Sequence, residues 1–242
     1  MTVAGPMNTN HVEEYLGAIY RLRASAEQPV PLPQVRAYLN YTLISIHEMV
    51  RKLADQDFIN YKPYRGVILT PKGEKVAAAL VRRHRIWERF LTDMLSIPWD
   101  ETHLIAGQLE HAAPELVTER LAWLMGDPEF CPHGSSIPQI NQPASPGSST
   151  RQPGGAETGS LLNLLPGTKS QVVSITPELP EYLSKLNRWG IGPGVMIDVC
   201  GYRGQMIEIQ ANGQKLEIPE DLARVIRVNL VTPGEKMQRM GA

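Results

Sequence analysis

Between Val81 and His111 the chain gathers side chains that ligate metals. The run V-R-R-H-R-I-W-E-R-F-L sets His84 and Glu88 four residues apart, on one face of a helix. A second run, E-T-H-L-I-A-G-Q-L-E-H, carries His103, Glu110 and His111, with His103 and Glu110 seven apart and again on one side. Imidazole and carboxylate groups converging from two antiparallel helices suit manganese, iron or zinc, and coordination geometry decides among them. A solvated helix face carries the same residue types, so spacing alone leaves both readings open.

Such ligands need a scaffold of packed helices. A chain of 242 residues is long enough for two or three modest domains. Its 42% hydrophobic and 20% charged content is that of a soluble globular protein. No run of about eighteen apolar residues is present, so no membrane partner is expected. The start, M-T-V-A-G-P-M-N-T-N, lacks the basic and apolar regions of a signal peptide. With Cys131 and Cys200 as the only cysteines, the expectation is a reducing cytoplasm without structural disulfides. Residues 1–90 hold 13 Lys and Arg against 8 Asp and Glu, while the remainder holds 11 against 17. A basic front half points to an anionic partner, nucleic acid first, although a solvated basic face has the same composition.

In the front half, apolar periodicity predicts a helix over 11–23, a short helix opened by Pro31 and Pro33, and a third helix capped by Thr42. Ile46, Met49, Val50 and Leu53 form the inward stripe of that third helix. Phe58–Lys62 and Gly66–Leu69 read as a hairpin with Tyr64 and Arg65 near its tip. This order is that of a winged helix-turn-helix, whose third helix enters the major groove of double-stranded DNA. The groove-facing candidates are Thr42, Ser45, His47, Glu48 and Arg51. Lys52, Lys62, Arg65 and Lys72 are candidates for phosphate contact.

Three further helices are predicted, over 74–96, from Glu101 to Ala112, and after Pro114, where Leu116, Val117, Leu121, Leu124 and Met125 supply the apolar stripe. Their apolar content suits either one chain's core or burial against a second copy. Residues 135–160 are rich in Ser, Gly, Pro, Gln and Thr and read as a flexible linker. Strands are then expected at 170–175, 195–200, 206–210 and 215–218, with Asn212-Gly213 as a hairpin turn and a short helix over 180–187. Short strands at this spacing suggest a small five-stranded barrel.

These segments resemble the diphtheria toxin repressor family of iron- and manganese-dependent transcriptional repressors. The resemblance is carried by E-E-Y-L-G-A-I-Y-R-L, Y-R-G-V-I-L-T-P-K-G, V-R-R-H-R-I-W-E-R-F-L, the L-E-H triplet and C-P-H-G. It implies a mostly α protein with a small β domain, arranged as a winged helix-turn-helix over 1–73, a helical metal-binding and dimerisation domain over 74–134, a linker over 135–160, and an SH3-like (FeoA-like) β-barrel over 161–242. It also implies a homodimer on a palindromic operator, with Mn²⁺ or Fe²⁺ as cofactor and Zn²⁺ not excluded, and no enzymatic activity.

The family's activating site maps onto Glu14, Glu110, His111 and the backbone carbonyl of Gly107, with a further ligand position falling on Gly17. Two of its side-chain positions are therefore glycine. The ancillary site maps onto His84, Glu88 and His103, with Glu178 and Glu181 offered by the barrel and Cys131 and His133 of C-P-H-G as further candidates. From the resemblance, metal at Glu14, Glu110 and His111 clips the first helix down and gates DNA binding; the ancillary set, with more side chains, is expected to bind more tightly. Two other readings stay open: a regulator of the same fold whose gating is metal-independent, and a metal-dependent hydrolase using His84, Glu88, His103 and His111.

Overall fold

The structure, a computed structural model, describes residues 9–139 and 158–230. Most of the expected linker, residues 140–157, lies outside the described residues, as do residues 1–8 and 231–242. Two compact units are present, one holding residues up to 98 with 102–131 and 136–139, the other holding 99–101, 132–135 and 158–230.

The first unit begins with α1 (Thr9–Leu22), α2 (Leu32–Leu39) and α3 (Leu43–Asp55). On α1, Val12, Tyr15, Leu16 and Ile19 recur at helical spacing and are buried with Val35 of α2 and Ile46, Val50 and Leu53 of α3. Asn40, in the left-handed conformation, ends α2. Thr42 caps α3, its hydroxyl accepting from the Ser45 N–H at 3.2 Å. Strands β1 (Ile59–Lys62) and β2 (Gly66–Leu69) form the wing, in register from Ile59↔Leu69 to Lys62↔Gly66. Val30 adds a third edge, exchanging two backbone hydrogen bonds of 2.8 and 3.0 Å with Val67.

Helix α4 (Pro71–Asp93) starts at the Thr70 cap with Pro71 in its first turn. Its buried stripe runs Ala77, Leu80, His84, Glu88, Leu91, so helical spacing carries two polar side chains into the interior. The remaining helices are α5 (Trp99–Ala112) and α6 (Glu115–Leu124). The apolar stripe of α6 faces outward in part: Leu116, Val117 and Leu124 are 69%, 41% and 57% exposed, and the inward side chains are Thr118 and Ala122. Leu121 and Met125 pack at the edge of a small core of Ile86, Ala122 and Ile137.

The second unit contains β3 (Gly159–Ser160), β4 (Lys169–Ile175), α7 (Pro180–Arg188), β5 (Met196–Arg203), β6 (Met206–Ala211), β7 (Gln214–Pro219), α8 (Glu220–Val225) and β8 (Ile226–Leu230). The antiparallel sheet has the order β3-β8-β4-β5-β6-β7 over a core that includes Leu161, Ile175, Leu183, Ile197, Ile207 and Ile226. Asn212 and Gly213 turn β6 into β7 with positive φ at both residues, which a two-residue hairpin requires. Six strands replace the expected five. The two-residue β3, with α8 and β8, lay beyond what the periodicity signalled.

The linker is also shorter than expected at its start. Ser135 donates to Glu178 Oε1 at 2.7 Å, and Ile137 is buried with its N–H on the Glu129 carbonyl at 2.7 Å. One buried isoleucine and these bonds hold an otherwise polar run in place.

In the wing, Gly66 is held under a tight local constraint. Its φ is +124°, and a Cβ there would lie 2.1 Å from the Val30 carbonyl oxygen. We expect Gly66→Ala to destabilise the chain by roughly 2–4 kcal/mol, measured by urea unfolding, because strain and a backbone clash add. An unchanged midpoint would show that the wing relaxes away from Val30.

Candidate metal centre

On α4, one helical turn separates His84 from Glu88, and α5 brings His103 against both. His84 Nε2 lies 2.8 Å from Glu88 Oε1, His103 Nδ1 lies 2.9 Å from the same oxygen, and the two ring nitrogens are 2.9 Å apart. His84 and Glu88 are buried, and His103 is mostly so. A proton satisfies one edge of this triangle at a time, whereas a divalent cation attracts all three lone pairs together. Bonds of about 2.0–2.2 Å place neighbouring ligand atoms roughly 3 Å apart around an ion. The donor set and its spacing therefore fit a metal.

The other nitrogen of His84 sets the tautomer. Nδ1 is 2.9 Å from Glu110 Oε2, and an ionised carboxylate only accepts. The neutral ring thus carries its proton on Nδ1 and turns the Nε2 lone pair toward Glu88 and His103, the arrangement an orienting carboxylate gives a ligating imidazole. Burial pushes the His84 pKa down, but the Glu88 charge and the hydrogen bonds to Glu110 and Glu88 outweigh burial and the opposing Arg21 charge, so it stands above 6.5. Burial pushes Glu110 up, yet the His84 hydrogen bond and the charges of His84, Arg21 and His111 bring it below its ordinary value.

The expected set of Glu14, Glu110 and His111 is not brought together. Among the described residues, the groups of three or more His, Cys, Asp or Glu that converge within 4.8 Å do not include Glu14. Its carboxylate instead accepts from the Tyr41 hydroxyl, at 3.0 and 3.2 Å to its two oxygens. The preceding residue, Glu13, reaches His111 Nδ1 at 3.0 Å and accepts from Arg83 at 2.9 Å. One residue is about 100° on a helix, enough to exchange the two roles. Gly107 has nothing within 4 Å of a Cβ position, whereas a Cβ on Gly17 would meet Leu80 Cδ2 at 2.9 Å and Arg21 Nη1 at 3.0 Å. Arg21, which no metal-ligand pattern singles out, is buried and pairs with Glu110 Oε2 at 3.4 Å.

Cys131 is buried in the first unit, with Sγ within 4.8 Å of a Glu88 carboxylate oxygen. In the second unit His133 is buried, its Nε2 2.9 Å from the Trp99 carbonyl oxygen. Glu178 is buried and accepts from Ser135, while Glu181 is exposed in the first turn of α7.

Three family models match in succession: the iron-dependent repressor N-terminal DNA-binding domain over residues 7–67, the iron-dependent repressor metal-binding and dimerisation domain over 70–139, and the FeoA domain over 160–230. The chain belongs to the diphtheria toxin repressor family. The diphtheria toxin repressor of Corynebacterium glutamicum is 27% identical to it over 223 residues, covering 90% of this chain and 96% of that protein. The iron-dependent repressor IdeR of Mycobacterium leprae is 27% identical over 228 residues with the same coverage of both. Among solved structures, a manganese-dependent transcriptional repressor in complex with manganese superposes with a TM-score of 0.74 at 27% identity, covering 91% of this chain and all of that one.

In this repressor, Thr42, Ser45, Glu48, Arg51 and Lys52 are exposed on or beside α3, His47 is half-buried, and Lys62 and Arg65 are exposed on the wing. Lys72 is exposed beside the wing, where its ammonium donates to the Gln56 carbonyl at 2.8 Å and sits over the Phe58 ring. Leu43 and Ile44, 46% and 73% exposed, share the start of α3 with the polar candidates, and a pattern of charge does not single them out.

The electrostatics of the centre can be checked without metal. A raised His84 pKa contributes stability that is present below 6.5 and lost as pH rises through the folded value. Glu88→Gln keeps the shape and removes the charge, so His84 should titrate at lower pH than in the parent by NMR of the imidazole protons. An equal or higher value would refute Glu88 as the group that holds the proton there.

Proposed function

We propose that this chain is a metal-responsive transcriptional repressor that binds a palindromic operator as a homodimer, with His84, Glu88 and His103 as the residues that hold the ion. The buried convergence of His84 Nε2, Glu88 Oε1 and His103 Nδ1 carries this reading. Two imidazoles and a carboxylate suit Mn²⁺ or Fe²⁺ and also accept Zn²⁺. The ion would supply positive charge to a buried carboxylate and join α4 to α5. Cys131, close to Glu88, is a further candidate ligand. His133 beside it in sequence, and Glu178 and Glu181 of the second unit, remain candidates on the strength of the resemblance.

Exposed apolar side chains on α5 and α6, among them Leu104, Leu116, Val117 and Trp123, support burial against a second copy within the segment matched by the dimerisation-domain model. The exposed polar face of α3 and the cationic wing support DNA as the partner. We assign no catalytic role, because the matched family models are those of repressor and FeoA domains. No helix of the described residues is long and apolar enough to cross a membrane. From the DNA-binding role we infer a cytoplasmic location.

Calorimetric titration with Mn²⁺ tests the centre: His103→Ala should lose one equivalent per chain, and an unchanged titration would remove the cluster from the mechanism. Protons and metal compete for His84, and its raised pKa starts that competition above the ordinary imidazole range. Apparent affinity should therefore fall as pH drops already from above about 6.5. Onset only below the ordinary range would mean that His84 is not a ligand. On operator DNA, Arg51→Ala should weaken binding, and Arg65→Ala should also reduce the salt slope by about one. Parental affinity and slope in both variants would exclude this docking face.

A further inference from the structure

The position that the resemblance gives to an activating metal ion is built differently here. Every ligand-type side chain at that place already has a protein partner: Glu14 the Tyr41 hydroxyl, His111 the Glu13 carboxylate, and Glu110 both His84 and Arg21. Arg21 comes from the same helix face as Gly17, one turn on, and its guanidinium lies against that glycine. A ligating side chain at 17 would meet Arg21 and Leu80, while Gly107 leaves its own ligand position open. His111 Nε2 lies 3.5 Å from Glu110 Oε1, but Glu14 does not join them in one ligand group, so the residues present do not fit a metal.

What they do fit is an internal cation. We propose that the Arg21 guanidinium is the resident cation of this site and ties α1 to α5 through Glu110 without a metal ion. Both side chains are more than nine-tenths buried, so their pairing acts in a medium that screens charge poorly. Removing one partner leaves a buried charge uncompensated. Two neighbouring pairs act in the same direction, since Glu13 on α1 holds Arg83 of α4 and His111 of α5. Arg21 is thus a positioning residue for the DNA-binding helices, a role independent of whether the cluster at His84 takes metal.

The test uses full-length, metal-stripped protein with Mn²⁺ as the probe. His111→Ala should leave the number of Mn²⁺ equivalents unchanged, and loss of one equivalent would overturn the proposal. By hydrogen exchange, Arg21→Ala should speed α1 amide exchange at least tenfold, with and without Mn²⁺, and lower Tm by about 5–10 °C. Arg21→Lys should retain most of the protection, because it keeps the charge. Parental α1 exchange in Arg21→Ala, or protection restored by Mn²⁺, would refute the internal cation. If Arg21→Ala does not fold, the His111→Ala titration decides. Failure of the parent to bind any Mn²⁺ would sink the metal-responsive reading instead and leave the Arg21 exchange result standing.

Discussion

The buried carboxylate of Glu88 is the constraint on which the first unit turns. A helix that places a fully buried charge on the same stripe as Ala77 and Leu80 must surround it with donors or cations, because desolvation of an unpaired carboxylate costs several kcal/mol. His103 can donate to it from Nδ1 and His84 from Nε2 when the ring carries both protons, which binds α5 to α4 more specifically than apolar contact would. Apolar packing tolerates small rotations, whereas three polar atoms within 2.9 Å of one another do not. The same place suits a divalent cation, since a buried carboxylate beside imidazole nitrogens whose lone pairs turn toward it is the donor set such an ion takes.

From there the polar order spreads by shared atoms. His84 faces Glu88 and His103 with one nitrogen and Glu110 with the other, and Glu110 in turn meets Arg21 on α1. A histidine with two distinct nitrogens thus joins two networks. Burial works against the charged forms of both His84 and Glu110; at His84 the Glu88 charge with the hydrogen bonds to Glu110 and Glu88 outweighs it, and at Glu110 the His84 hydrogen bond with the nearby cations does. The apolar face of α1 supplies most of its attachment, with Leu16 and Ile19 buried in the core shared with α2 and α3. The charged contacts choose its rotation and height.

Much of this is legible in the chain. Apolar periodicity places α1 through α5 within a few residues, and spacing puts His84 and Glu88 on one helix face, while the resemblance adds His103 to them. The limits have physical causes. Glu13 and Glu14 are adjacent and chemically identical, and only the angle of α1 against α4 decides which one reaches His111. Arg21 reads as an ordinary cation at the end of an amphipathic helix until Glu110, 89 residues away, is placed beside it. On α6 the apolar stripe points outward, because periodicity finds a face without saying what covers it. Strand β8 follows a one-and-a-half-turn helix, too short to leave a period.

The consequence for DNA recognition runs along α1. Its fourteen residues span about 21 Å, with Glu13 and Glu14 in the first half and Arg21 in the last turn. Arg21 and Glu13 face the α4 and α5 side, whereas Glu14 meets the Tyr41 hydroxyl one residue before the cap of α3. Tyr15 stacks on Tyr41 at 5.8 Å between ring centroids. Burial and the neighbouring Tyr41 and Glu14 push the Tyr15 phenol up to about 12, so it stays neutral and adds no repulsion to the carboxylate beside it. Whatever fixes the rotation of α1 against α5 therefore also fixes the start of the recognition helix, because the two share Tyr41. A rotation of α1 that released Glu110 would draw Glu14 from Tyr41 or carry α3 with it. The pairing of two recognition helices across a dimer depends on that angle, so a buried arginine and a glutamate far from the DNA bear on how the repressor meets it.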